Sequence, residues 1–176
     1  MERALWGGRV IEVRRLTVAD LAAFRRLHRL GLECDPLSFV ESVAEDASRP
    51  DADVVGPIER GEAWGAFDDG ALIAKLTIDA PPFAALAHTR WLHGVVAHPE
   101  SRGSGAARAL VRAAIEAARS AGALRILLWV SAENVRARSF YEALGFHETG
   151  RAPGGIRFGE RSIDDVIMCL CLDGAP

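Results

Sequence analysis

The chain is 176 residues long, which suits one domain with a sizeable core. Its hydrophobic share of 49%, charged share of 26% and formal net charge of −3 are ordinary for a globular protein and give no sign of a sequence-independent grip on nucleic acid. No stretch is apolar for long enough to cross a bilayer, so no membrane role is expected. Glu2, Arg3, Gly7, Gly8 and Arg9 interrupt any apolar signal core. Cys34, Cys169 and Cys171 show no metal-type spacing, so a cytoplasmic protein with reduced thiols and no metal is the simplest reading. Basic residues are nearly all arginine; Lys75 is the only lysine, which as sequence alone reads as a coding bias.

Residues 1–8 read as a short tail and 9–176 as a single domain. Residues 10–14 alternate apolar and polar, as a strand does. Thr17 or Asp20 then caps a helix through about Leu30, with Leu21, Phe24, Leu27 and Leu30 on one face. Pro36 opens a second, shorter helix that carries Phe39, Val40 and Val43, and 51–61 is expected to be a loop. Strands over 62–67 and 71–78 flank Asp68-Asp69-Gly70, a good hairpin turn. After a loop at 79–88 come a strand over 91–97, a tight connection over 99–105, and an alanine-rich helix over 106–121 closed by Gly122. That helix turns Ala107, Leu110, Val111, Ala114, Ile115 and Ala118 inward and Arg108, Arg112, Glu116 and Arg119 outward. Residues 124–130 are a mostly apolar run, as in a strand buried on both faces. Asn134 caps a helix that ends before Gly145; a strand starts at Phe146, 151–160 is expected to be a loop, and 163–172 is the last strand. The order of strand, two helices, three strands, helix, strand, helix and two strands is a mixed α/β (α+β) layout around one central sheet.

The chemistry gathers where the strand over 91–97 runs into the next helix. Val95, Val96 and Ala97 end the strand; Arg102, Gly103, Ser104 and Gly105 form the turn; Ala106, Ala107 and Arg108 open the helix. The first N–H groups of a helix have no intrahelical acceptor, and the helix dipole adds partial positive charge there. Glycines let a ligand approach the backbone closely, so the junction reads as a pyrophosphate cradle; the alternative is a junction that merely turns the chain, as many of this kind do. It lacks the Gly-Lys-Ser/Thr ending of an NTPase loop and the G-x-G-x-x-G of a dinucleotide fold.

Arg102, Gly105 and Ala107 match the Arg/Gln-x-x-Gly-x-Gly/Ala motif of the Gcn5-related N-acetyltransferase (GNAT) superfamily, and the chain resembles that family. A second match follows at Asn134, Ala137, Phe140, Tyr141, Gly145 and Phe146. The resemblance implies a mainly antiparallel sheet flanked by helices, in which the strands over 91–97 and 124–130 run parallel and splay apart at one end. It implies acetyl-CoA as acyl donor, with its pantetheine bonding Val95, Val96 and Ala97 like an added strand. It also implies a Tyr141 phenol that protonates the departing thiolate, and an amine that attacks without a covalent enzyme intermediate. Asn134, Gly145 and Phe146 are explained equally well as a helix cap and a helix stop; a phenol at 141 is not.

Many members of the family place a glutamate as base on one of the two splayed strands. Here the strand over 124–130 holds none, and the other offers His93, at the offset where a histidine serves the proton path in the serotonin N-acetyltransferase branch. A water chain to bulk is the rival, and His88 a weaker candidate. Alternation would set His93 beside Trp91 and Val95 and opposite Leu92 and Gly94. Cys169 and Cys171 read as core, and the acidic residues Glu33, Asp35, Glu41, Glu45 and Asp46 as a solvated face. The expected activity is transfer of an acetyl group to a small-molecule amine. The alternatives are a protein N-terminus or lysine as acceptor, and a non-catalytic acyl-CoA sensor; a homodimer stays open.

Overall fold

The computed structural model describes residues 2–6 and 9–173. Among them the chain is a mixed α/β structure with mainly antiparallel strand pairing, in the order β1 (Glu2–Trp6), β2 (Arg9–Arg15), α1 (Leu21–Cys34), α2 (Val43–Ser48), α3 (Asp51–Glu59), β3 (Ala63–Asp68), β4 (Ala71–Asp79), β5 (Thr89–Ala97), α4 (Ala106–Ser120), β6 (Arg125–Ser131), α5 (Val135–Glu142), β7 (His147–Phe158) and β8 (Arg161–Cys171). No helix among the described residues is long and apolar enough to cross a membrane. Two compact units are distinguishable: Met1–Asp79 with His93–Ala117, and Ala80–Leu92 with Ala118–Pro176.

In the first unit β1, β2, β3 and β4 pair antiparallel in sequence order, and the second half of β5 follows β4. Asp69 (φ 48) and Gly70 (φ 76) are both left-handed between paired Asp68 and Ala71, which is the I′ turn that suits the strand twist. Thr17 caps the entry to α1: its N–H and hydroxyl both donate to Asp20 Oδ2, at 2.8 and 2.9 Å. Arg14 holds the same carboxylate with two further bonds of 2.8 and 2.9 Å. Phe24 of α1 then packs with Leu16, Ile58, Ala63 and Phe67 in the core. Each large apolar side chain so buried contributes roughly 1.5–3 kcal/mol relative to exposure.

In the second unit the first half of β5 runs parallel to β6 over three pairs, Thr89 to Trp91 with Arg125 to Leu127. β6 pairs antiparallel with β8, and β8 with β7. Leu128 faces Met168 and Val130 faces Val166 across β6 and β8, and all four are buried. Along α4 the face read as inner is buried except for half-buried Ala107; Arg112, Glu116 and Arg119 are exposed.

Four segments depart from the sequence reading. Residues 2–6, expected as a tail, pair with β2 as β1. Pro36 starts only a three-residue 3₁₀ turn, and α2 begins at Val43 after the reciprocal cap of Ser42 and Glu45. The expected loop at 51–61 contains α3, which carries Pro57 inside it and buries Ile58. Residues 151–158 belong to β7, and the chain reverses at Gly159-Glu160, between paired Phe158 and Arg161. Gly56-Pro57 and Pro153-Gly154-Gly155 carry the signals of breaks, yet packing of Ile58 and pairing with β8 override them.

Candidate active site

The Gly-rich junction is tied to β4 before it turns. The His98 N–H donates to the Ile73 carbonyl (2.8 Å), and Ser101 Oγ donates to the carbonyls of His98 (2.8 Å) and Ile73 (3.2 Å). Gly103 (φ +81) and Gly105 (φ +82) are left-handed, a conformation that costs other residues energy. The helical ladder of α4 begins with the Ala109 N–H on the Gly105 carbonyl, and Ala106 N–H donates to Ser104 Oγ (3.2 Å). The N–H groups of Ala107 and Arg108 precede that ladder, at the positive end of the helix dipole. The Arg102 guanidinium is paired with Asp35. A cleft of about 1000 Å³ opens on this junction, with Arg26, Leu27, Leu72, His98, Ser101 and Gly103 in its wall.

Upstream of the junction, Val96 is buried against Gly31 of α1, and Val95 and Ala97 are half-buried. His93 is half-exposed, and its Nε2 lies 2.9 Å from Asp79 Oδ1. The expected alternation fails one residue later. Gly94 has φ +52, and both His93 and Gly94 are exposed, because a left-handed residue breaks the two-residue repeat of the strand.

Asn134 and Tyr141 belong to the second unit. Asn134 Oδ1 accepts from the Ala137 N–H (3.0 Å), the N-cap expected of it. Gly145 (φ +94) stops α5, and the Phe146 N–H returns to the Tyr141 carbonyl (3.1 Å). The Tyr141 ring is buried, with edge-on contacts to Phe140 (centroids 5.3 Å apart) and Phe146 (5.6 Å). Burial pushes the phenol pKa above its ordinary value, so the group holds its proton at neutral pH.

Of the acidic residues read as a solvated face, Glu33 and Glu45 are exposed, but Glu41 and Asp46 are not. Glu41 Oε2 meets His28 Nε2 at 3.0 Å and its other oxygen meets Arg49; buried Asp46 accepts two bonds of 3.2 Å from Arg29. His28, Glu41 and Asp46 bring ligand-type atoms within 4.8 Å of one another. Two carboxylates already balanced by two guanidinium groups do not fit a divalent cation, which needs their negative charge for itself. Burial, chiefly, pushes the His28 pKa down, with Lys75 adding to it and Glu41 opposing it. Lys75 is the buried amine beside this cluster, and the one signal for it in the sequence was its being the sole lysine.

Comparison with known proteins settles the family. The model of the Acetyltransferase (GNAT) family matches residues 21–146, well over half of the chain. The chain belongs to the GNAT family. Among curated relatives of this GNAT protein, a mycothiol acetyltransferase of Beutenbergia cavernae is 34% identical over 51% of this chain and 32% of its own length. The chain spans about a third of the length of the curated relatives it matches. Among solved structures, yncA of Salmonella typhimurium with its cofactor acetyl-CoA aligns with TM-score 0.81 and 19% identity, over 94% of this chain and 96% of that one. A ribosomal-protein-alanine N-acetyltransferase of Brucella melitensis aligns with TM-score 0.78 and 22% identity, over 92% and 99%. These structures share the GNAT fold.

Proposed function

We propose that this protein is an acetyl-CoA-dependent N-acetyltransferase acting on a primary amine, with a small-molecule acceptor favoured. The observation that carries the reading is the junction of β5 and α4, where two left-handed glycines precede the leading N–H groups of the helix at Ala107 and Arg108. The pyrophosphate of acetyl-CoA would lie on the N–H groups of Gly103, Ser104, Gly105, Ala106, Ala107 and Arg108. Its pantetheine would bond the backbone of Val95, Val96 and Ala97, and an N–H near Val96 would polarise the thioester carbonyl. With Arg102 engaged by Asp35, its part is to shape the turn.

The amine nitrogen attacks the thioester carbon, the carbonyl electrons move onto oxygen, and collapse of that tetrahedral species breaks the C–S bond. Tyr141 gives its proton to the leaving thiolate, and the second proton, shed by the acylated nitrogen, restores the phenol. An alkylamine of pKa ~10.4 must first lose a proton, at a cost of roughly 4–5 kcal/mol at neutral pH. His93 is the acceptor for that proton. Its bond to Asp79 supports the role, since a carboxylate on one ring nitrogen fixes the tautomer and the orientation of the ring. The test is release of free CoA thiol from acetyl-CoA against a panel of small primary amines, peptide N-termini and lysine peptides. Acceptor-dependent release by a small amine supports the reading. Release with peptides alone moves the acceptor to protein, and binding of acetyl-CoA with no release on any acceptor leaves an acyl-CoA sensor.

A further inference from the structure

Of 21 basic residues only Lys75 is lysine, and it is 2% exposed on β4 between fully buried Ala74 and Leu76. An arginine could not serve there. A guanidinium never loses its charge and presents five donors. Among the described residues the Lys75 Nζ meets one carbonyl, that of Gly94 at 3.4 Å, and the Phe24 ring, whose centroid is 4.2 Å away. So few partners cannot hold a buried ammonium, and burial lowers the Lys75 pKa to about 7. Glu41 and Asp46 pull that value up and Arg49 pushes it down; His28 of α1 titrates against the same amine.

Gly94 is the left-handed residue within β5. The carbonyl of this kinked residue accepts from the lysine of the neighbouring strand. A Cβ at Gly94 would stand 3.5 Å from Nζ, so the amine lies directly against the kink. Val95, Val96 and Ala97 follow at once. We propose that Lys75 is a positioning residue, which holds the Gly94 carbonyl and thereby sets the direction of the backbone N–H groups at 95–97 that face the thioester. The role rests on the acetyl-CoA reading of that strand. Lys75 touches neither substrate nor cofactor; it acts through β5.

The experiment compares Lys75→Met, which keeps length and apolar packing but has no donor, with Lys75→Gln, which keeps an N–H. The Met variant should lose about 10²-fold in kcat, the scale of a small misplacement transmitted from outside the chemistry, with the KM for acetyl-CoA within about threefold of wild type. The Gln variant should recover about tenfold of that loss. In amide NMR spectra the Met variant should shift Val95, Val96 and Ala97 and leave Ala107 and Arg108 in place. A lysine uncharged when folded and charged when unfolded makes unfolding take up a proton, so wild-type stability should rise relative to the Met variant between pH 7 and pH 9. Unchanged amides at 95–97 with wild-type kcat in Lys75→Met overturn the proposal. So does an equal loss of kcat in both variants that merely follows the fraction folded. If the wild type acetylates nothing, the enzymatic reading fails, while the amide shifts and the pH dependence still decide whether Lys75 holds the kink.

Discussion

A phenol packed between Phe140 and Phe146 keeps its proton across the neutral range, which the proposed role of Tyr141 as proton donor to the thiolate requires. Tyr141→Phe keeps both ring contacts and removes only the hydroxyl. Initial-rate kinetics should show kcat falling by roughly 10²–10⁴ with the KM for acetyl-CoA unchanged, and wild-type turnover would make the hydroxyl structural. At His93 the informative change is glutamine, which still reaches Asp79 with a hydrogen-bonding group but cannot carry a proton at neutral pH. The limb of the pH–rate profile that depends on a general base should flatten in His93→Gln, leaving the slower, more alkaline dependence of the free amine. A profile identical to wild type would assign the proton to a water chain.

At the scale of elements, the junction and α1 carry the sharpest expectations. Gly105→Glu puts a charged side chain on a left-handed residue at the start of α4, where the anion is to lie, and isothermal calorimetry should find acetyl-CoA binding lost. Gly31→Ala would bring a methyl to 2.9 Å from Val96 Cγ1 and 3.2 Å from Phe39 Cζ, which forces α1 away from β5. Urea unfolding should register a loss of about 1–3 kcal/mol. The parts of the fold legible in the sequence are those fixed by neighbours in the chain: the Asp69-Gly70 turn, the Thr17 and Asn134 caps, the stop at Gly145 and the glycines before α4. Other parts depend on contacts from afar. α3 exists because Ile58 docks on Leu16 and Phe24 despite Pro57, and β7 continues past Gly154-Gly155 because β8 pairs with it on both sides of the bulge. The same holds in the site. The glycines of the junction are legible in the chain and Tyr141 is proposed from the family resemblance, whereas the His93–Asp79 pair and the contact of Lys75 with Gly94 join residues 14 and 19 positions apart through the geometry of β4 and β5.

For the molecule as a whole, two groups tilt stability toward higher pH. The bonds from Arg14, above all, hold the Asp20 carboxyl well below its ordinary range. Its contribution is therefore complete above the unfolded-state value of about 4 and is lost as pH falls through the lower folded value. Lys75 acts in the other window: folding favours the uncharged amine, so stability grows as pH rises from about 7 toward the unfolded value near 10.4. Thermal melts from pH 3 to pH 9 should give a Tm that climbs in both windows. Asp20→Asn should flatten the acid one and leave the alkaline one intact, and a Tm that instead peaks below pH 6 would contradict the assignment.

The single buried lysine has one more effect. Apart from its α-amine, the folded chain offers no exposed primary amine to any acylating agent, because every other basic side chain is a guanidinium or an imidazole. Acylation at lysine is thereby closed to the folded chain. Incubated with excess acetyl-CoA or an amine-reactive ester, the native chain should show no lysine adduct by peptide mass mapping, and one only once denaturant brings Lys75 into water.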